Sequence, residues 1–549
     1  MLGRHVFMDS LVAHGVDRIF GNPGTTESPL IDSLADYPGI EYVVALHEGV
    51  ALGAASYYAQ ASGITGVVNL HVAPGLGNAI GMLYCALKAN SPMIVTAGQQ
   101  DTRMRLHDPV LGHDLAAMAA PVTKWSVQAE SADELALLMH RAIKVAHTPP
   151  AGPVFIALPI NVMEQDTNNG AFAASPLHLK STAAADGLSA IAATLARAEA
   201  PAIVVGDDVA RTGAGDVVTQ VAERIGASIW FEGLRGHAAV ASAHPNVRRS
   251  LPVDAAAIAK TLQFADVVLL VGGPFFEDVW YAPGLPFAAH TRVVQIEESA
   301  ERLGRNFALD AGAVGALQPS VAALLDALPA QTPAASGRNE TLAAEKQSSL
   351  EAQTARVERA AHRQPMPMSV VMAELAAAVP DETIVVDESI TASIDLAASF
   401  QFRGAGDFYS GRGGGIGQGL PGALGVQLAR PDRPVLCVSG DGSAMYSIQA
   451  LWSAAHHALP IVYVILANRE YRILKHNLDS YRQRFETGSN RPYAQMDLGA
   501  PALGFVEMAA GMGVAGRRVA DVAELREAIA AAFASGQAYL VEVEIEGKR

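Results

Sequence analysis

Short aliphatic and β-branched runs recur along the 549 residues, each followed by a stretch with helical spacing. "EYVVALHE", "TGVVNLH", "SPMIVTAG" and "GPVFIALP" stand near the start; "PAIVVGD", "ASIWFEG", "DVVLLVGG" and "TRVVQIE" follow in the middle. "ETIVVDES", "RPVLCVSGDG", "PIVYVILAN" and "AYLVEVEI" close the series. Strands that are apolar on both faces are covered on both faces, and strand–helix alternation predicts an α/β fold with parallel sheets. A chain of this length exceeds what a single core organises. Two segments break the alternation. "EQDTNNGAFAASPLHLKSTAAAD" (164–186) is polar and small, a linker. Residues 330–366 are charged and Ala-rich, and are expected to form a connecting helix with a loose start. Three consecutive parallel-sheet domains are therefore expected, at 1–165, 183–330 and 362–549.

Charge and composition narrow the function. A formal net charge of -16 argues against a nucleic-acid partner and against an anionic membrane surface. No apolar run approaches the ~18 residues of a membrane span. The first residues, "MLGRHVFMDSLVAHGVDRIFG", carry apolar side chains at helical spacing rather than as a signal peptide's unbroken run. Cys85 and Cys437 lie in apolar contexts without metal-ligand spacing, which predicts small core residues and a cytoplasmic protein.

One strand end carries more information than the others. In "RPVLCVSGDGSAMYS" the apolar run ends at Gly440-Asp441-Gly442, and the segment "SAMYSIQALWSAAHHALP" after it is expected to be a helix. The next run, "IVYVILAN", ends at Asn468. One crossover helix between parallel strands sets their carboxyl ends side by side, where open α/β sheets bind ligands. Asp441 and Asn468 then offer a carboxylate and an amide oxygen, a hard site suited to Mg2+ or Ca2+ with phosphate oxygens. Backbone N–H groups at the following helix start suit a diphosphate. An isolated Asp-Gly would be a turn, and Gly413-Gly414-Gly415 alone a loop. Glu48 alone would be an acid favoured by a helix start, and Ile416 alone a core residue.

From residue 4 to residue 546 the chain resembles the thiamine diphosphate-dependent enzymes, whose diphosphate motif opens with GDG and closes on an Asn after a spacer of this size. Within that superfamily it is most similar to the benzoylformate decarboxylases, through "FGNPGTTE", "VVALHEG", "VNLHVAPGLGNAIG", "SPMIVTAGQQ", "PVTKWS", "GGGIGQGLPGALGVQLA" and "GDGSAMYSIQALWSAA". The resemblance implies pyrimidine-binding, middle and diphosphate-binding domains in that order. It implies that Asp441, Asn468 and the backbone carbonyl of Glu470 bind the metal. Gly440, Gly442, Ser443 and Tyr471 would adjoin the diphosphate. Glu48 would contact the pyrimidine ring, the Gly414 carbonyl would accept from its amino group, and Ile416 would be the apolar wedge beneath the cofactor. His71 matches a catalytic histidine, and Thr25 stands where a serine meets the substrate carboxylate. The implied activity is non-oxidative decarboxylation of a 2-keto acid to CO2 and an aldehyde, with carboligation to a 2-hydroxy ketone as a side reaction. The alternative is a 2-hydroxyacyl-CoA lyase or synthase, or an acetohydroxyacid synthase-like carboligase. Sites shared between chains imply a homodimer or homotetramer.

Several positions depart from the decarboxylase pattern. Val279, next to Trp280, stands in place of a second active-site histidine. His113, with His107, lies on a loop that faces the active site in the superfamily, and is the candidate to replace it. Ser410 and Asn477 stand where phenylalanines would line the pocket, and Ile473 replaces an alanine. A smaller or more polar acyl group than phenyl is expected. "LLVGGPFFED" resembles a nucleotide-binding turn, and no nucleotide is expected there.

Overall fold

The runs that are apolar on both faces become the interior strands of three six-stranded parallel sheets. The computed structural model describes residues 1–175, 181–277, 280–281 and 283–547. In the first sheet, β1 (Arg18–Gly21), β2 (Glu41–Val44), β3 (Gly66–Leu70), β4 (Met93–Gln99), β5 (Trp125–Gln128) and β6 (Pro153–Pro159) lie in the order β2-β1-β3-β4-β6-β5. The second holds β7 (Pro201–Val205), β8 (Ser228–Phe231), β9 (Val247–Ser250), β10 (Val267–Val271), β11 (Arg292–Glu297) and β12 (Ala311–Val314), in the order β12-β11-β10-β7-β8-β9. The third is made of β13 (Ile384–Glu388), β14 (Phe408–Ser410), β15 (Val435–Gly440), β16 (Ile461–Ala467), β17 (Ala515–Val519) and β18 (Tyr539–Glu544). Its order, β14-β13-β15-β16-β18-β17, repeats the topology of the first sheet. Every residue of β3, β4 and β6 is buried, as helices on both faces require.

The chain forms two compact units. One comprises Met1–Pro176, Ala361–Leu396 and Gly411–Arg549; the other comprises Leu177–Ala360 and Ala397–Ser410. The core of the second unit is built on Ile203, Val205, Leu269, Val271 and Ile296 from its central strands. The expected connecting helix is present as Pro333–Ala360. Among the described residues no helix is long and apolar enough to cross a membrane.

Within the first unit two helices meet along a seam of small residues. The helix Glu48–Ser62 starts after His47, whose Nδ1 accepts from the Gly49 N–H at 3.0 Å, and ends at Gly63 in the left-handed region (φ +76°). Against it lies the helix Gly419–Ala429. A Cβ on Gly425 would fall 2.0 Å from the Ala54 carbonyl oxygen and 2.6 Å from the Tyr58 nitrogen; one on Gly422 would fall 2.8 Å from the Tyr57 ring. Glycine is needed here for backbone approach rather than for a turn. A second tie joins the same parts: the Val44 N–H donates to His457 Nε2 at 3.0 Å, and burial holds that imidazole below its usual range.

One expected element is corrected. The segment after Gly442 is not one helix but two short ones, Asp441–Ala444 and Ala450–His456, separated at Met445–Gln449. The first is a single buried turn directly after β15; the second buries Ala450, Leu451, Ser453 and Ala454.

The seam yields a prediction with a diagnostic sign. In an ordinary helix interior Gly→Ala stabilises by about 0.5–1 kcal/mol. Gly425→Ala is expected instead to lower the thermal midpoint, because overpacking costs ~1–3 kcal/mol. A raised midpoint in a melting curve would show that the seam is not this close.

Candidate active site

The carboxyl end of β15 lies beside that of β16, with Gly440 paired to Leu466 in the ladder, so Asp441 and Asn468 emerge next to each other. Asp441 is buried and accepts from the Gly442 N–H at 2.8 Å and the Arg469 N–H at 2.7 Å. Burial pushes its carboxyl up to about 6, although the two amides act in the opposite direction and nearby Glu470 adds to the rise. The Asn468 side-chain oxygen accepts from the Glu470 N–H at 3.0 Å. Between them Arg469 has φ +58°, an uncommon conformation for a residue other than glycine. The Glu470 carboxylate is paired with Lys475, so its side chain is committed; its carbonyl oxygen accepts from the Arg472 N–H at 3.0 Å. Ser443 is buried, and the Tyr471 ring lies over Gly442, where a Cβ would come within 2.7 Å of it. At Gly440 the space around a Cβ is open.

Among the described residues, no three His, Cys, Asp or Glu side chains stand together as a metal site. The oxygen donors at this strand end are the Asp441 carboxylate, the Asn468 amide and the Glu470 carbonyl. Those donors suit Mg2+ or Ca2+, and the open Gly440 with the N–H groups opening the Asp441–Ala444 helix suits a diphosphate. The residues present fit the group.

The first sheet carries the second cluster. Glu48 opens its helix and is buried; its Oε2 accepts from Asn78 Nδ2 at 3.0 Å, and its Oε1 lies against Gly75. His71 follows β3 as the residue before the helix Val72–Lys88, whose first residue, Val72, has φ +42°. A β-branched residue there is a strained outlier of the kind that gathers at functional sites. The His71 Nδ1 lies 2.7 Å from Oε2 of the buried Glu27 and 3.2 Å from the Thr26 hydroxyl. Glu27 also accepts from the Gly24 N–H (2.9 Å), the Gly98 N–H (2.9 Å) and the Thr26 hydroxyl (2.8 Å). A carboxylate facing Nδ1 holds a proton on that nitrogen, leaving Nε2 to exchange protons. Gly24 has to be glycine, since a Cβ would fall 2.2 Å from His71 Nδ1. Thr25 is exposed at the same turn.

Sequence reasoning missed Glu27 and Asn78. The Gly24-x-x-Glu27 spacing at a helix start was a signal for a buried capping carboxylate, and Glu27 does reach back to accept from the Gly24 N–H. Its partner, His71, is visible only in the fold. Gly414 is exposed with φ +73° and Ile416 is half-buried, on the loop that leads into the Gly419–Ala429 helix. Ile473 and Asn477 lie on the helix Arg472–Arg484, Ile473 exposed. His107 and His113 are exposed on the loop after β4, and no contact joins His113 to His71 among the described residues; the His113 carbonyl accepts from Gln99 Nε2 at 2.7 Å. Ser410 belongs to the other compact unit, where its N–H donates to the Gly236 carbonyl at 2.8 Å. Val279 lies outside the described residues; Trp280 is half-buried. In the second sheet the strand order reverses between β7 and β10. There Asp208 is ion-paired with Arg211 and Arg302, and Glu297 accepts from the Gly273 N–H at 2.9 Å.

Three parallel sheets, the first and third alike, carry an Asp/Asn strand end on one and a buried Glu with a half-buried His on the other, an arrangement suited to a cofactor-dependent α/β enzyme. The chain belongs to the thiamine pyrophosphate enzyme family. Its N-terminal TPP binding domain matches residues 1–119, its central domain residues 188–324 and its C-terminal TPP binding domain residues 391–543. The chain is 32% identical over 537 residues to a benzoylformate decarboxylase of Pseudomonas aeruginosa, covering 96% of each. It is also 32% identical over 546 residues, 99% of each, to a Mycobacterium tuberculosis protein provisionally named acetolactate synthase large subunit IlvX. A solved thiamine diphosphate-dependent 4-hydroxybenzoylformate decarboxylase of Rhodococcus jostii superposes with a TM-score of 0.87 at 28% identity, covering all of both chains.

Glu27 holds four donors with two oxygens. Glu27→Gln leaves at least one buried N–H without an acceptor, so a loss of about 1–3 kcal/mol is expected in urea unfolding. Thr25→Ala, at the exposed neighbour, should stay within about 0.5 kcal/mol of wild type. Equal midpoints for all three proteins would contradict the assigned hydrogen bonds.

Proposed function

We propose that this chain is a thiamine diphosphate-dependent non-oxidative decarboxylase of a 2-keto acid, releasing CO2 and an aldehyde. The observation that carries this reading is the buried Glu27 facing His71 beside the Thr25 turn: a proton-handling ring held in one tautomer where an acyl substrate would be received. The similarity to the Pseudomonas aeruginosa benzoylformate decarboxylase supports it.

When bound, thiamine diphosphate supplies the carbon nucleophile and the electron sink that loss of CO2 needs. The chain supplies the rest. Asp441, Asn468 and the Glu470 carbonyl would hold Mg2+, or Ca2+, against the diphosphate. Gly440, Gly442 and Ser443 would cradle that diphosphate, with Tyr471 covering it. The Gly414 carbonyl and Ile416 would hold the pyrimidine end, where Glu48 exchanges a proton while Asn78 fixes its other oxygen. The Thr25 hydroxyl would orient the substrate carboxylate, and His71 would move a proton at Nε2. His113 is the proposed second proton carrier, in place of the histidine absent at Val279. Domain limits at 1–165, 183–330 and 362–549 and a cytoplasmic homodimer or homotetramer complete the reading. The middle domain is proposed to bind no nucleotide, its strand-order reversal being lined by the ion-paired Asp208 and by Glu297.

A carboligase or hydroxyacyl-CoA lyase is the second reading. It is favoured by the long, polar side chains of the helix Arg472–Arg484 in place of an aromatic pocket, and by relatives named for acetolactate synthesis.

With Mg2+ and thiamine diphosphate, a panel of 2-keto acids including benzoylformate is expected to yield CO2 and aldehyde together from at least one member. Glu48→Gln should lower kcat by ~10^2–10^4-fold on that substrate while the protein stays folded. Cofactor binding without free aldehyde from any keto acid, whether CO2 leaves with formation of a ligated product or not at all, would move the assignment to the second reading.

A further inference from the structure

β13 ends on Glu388, an acid to which none of the motifs above gives a role. It is buried, and its carboxylate faces three successive backbone N–H groups. Oε1 accepts from Gly417 at 2.6 Å and Gln418 at 3.0 Å, and Oε2 accepts from Gly419 at 2.7 Å. Gln418, also buried, bends its side chain back and donates from Nε2 to the Arg412 carbonyl at 3.0 Å and the Gly415 carbonyl at 2.6 Å. The Gly415 N–H meets Cys85 on the first sheet's Val72–Lys88 helix. Gly413, Gly414 and Gly417 all have positive φ, so this turn has little conformational preference of its own. Without these ties it would be the loosest part of the site.

An ordinary helix cap would need much less. An exposed Ser or Asp caps a helix at small cost, whereas Glu388 is wholly withdrawn from water beside Tyr57, Cys437 and Asp387. Burial pushes its carboxyl up to about 7 against the pull of the three amides. Two oxygens spread over three consecutive amides fix a position in space as well as a helix start.

We propose that Glu388 is a positioning residue for the cofactor's pyrimidine ring. By clamping Gly417–Gly419 it sets residues 413–416, and with them the Gly414 carbonyl and the Ile416 side chain, at the place where the ring has to be held. Glu388 touches neither cofactor nor substrate. The proposal rests on the roles given to Gly414 and Ile416 under the proposed function.

The test compares wild type, Glu388→Gln and Glu388→Asp in the full chain with Mg2+. Binding of thiamine diphosphate and of inorganic pyrophosphate is followed by tryptophan fluorescence, and amide exchange is followed for the peptide covering 411–420. Glu388→Gln is expected to weaken thiamine diphosphate by about ten- to a hundredfold, the worth of a lost charge-assisted hydrogen bond. Exchange at 413–417 should quicken, and pyrophosphate, which needs only the Asp441 end, should bind as to wild type. Glu388→Asp keeps the charge but shortens the reach, and an intermediate loss is expected; it carries the test on the same criteria should the Gln variant not fold. Equal weakening of both ligands, or wild-type affinity and exchange in the variants, overturns the proposal. Failure of the wild type itself to bind thiamine diphosphate would instead overturn the cofactor reading on which it stands.

Discussion

The close approach of the helices Glu48–Ser62 and Gly419–Ala429 is the contact on which the rest of the site depends. Gly425 and Gly422 let one backbone lie against the other, and the two helices belong to different sheets. What they carry at their N-terminal ends matters most: Glu48 opens one, and the turn with Gly414 and Ile416 leads into the other. A seam of bulkier side chains would set the helices further apart and move Glu48 and the Gly414 turn each away from the place it takes in a site shared between chains. Small residues here are therefore a demand of the active site as much as of the core, and His457 beneath Val44 reinforces the same join.

Three buried acids share one solution to a common problem. A carboxylate taken out of water is costly unless hydrogen bonds replace its hydration. Glu27 accepts from Gly24 and Gly98, Asp441 from Gly442 and Arg469, and Glu388 from Gly417, Gln418 and Gly419. Most of these donors are backbone amides at a turn or helix start; Gly98 lies near the end of β4, and Glu27 also takes the Thr26 hydroxyl and His71 Nδ1. Among the described residues none of the three has a Lys or Arg partner, which leaves Asp441 open to a cation and Glu27 facing His71. By contrast the Glu470 carboxylate, spent on Lys475, leaves only its carbonyl to offer.

Much of this was legible in the residues because the information was local. Interior strands such as Val435–Gly440 and Ile461–Ala467 are apolar on both faces and read directly. The edge strands Val247–Ser250, Ala311–Val314 and Ala515–Val519 did not, because a strand covered on one side carries polar or small residues and loses the pattern. Asp441 and Asn468 were visible since each closes its own strand and one crossover joins them. Glu27 and Glu388 were not, because their meaning lies in partners brought close only by folding: His71 for one, the 417–419 amides for the other. The break at Met445–Gln449 was hidden for a similar reason, since the segment has helix-forming residues throughout and packing interrupts it.

If Asp441, buried just after β15 and pushed up to about 6, binds the cation that holds thiamine diphosphate, cofactor affinity follows both the cation and the pH. The most direct measurement is calorimetric titration of the cofactor with and without Mg2+, at pH 7.5 and at pH 5. One cofactor per chain is expected at the higher pH, with binding that requires Mg2+ and weakens by up to about tenfold per pH unit below 6, because a protonated carboxyl does not ligate the ion. Affinity that ignores both Mg2+ and this pH change would contradict that role for Asp441.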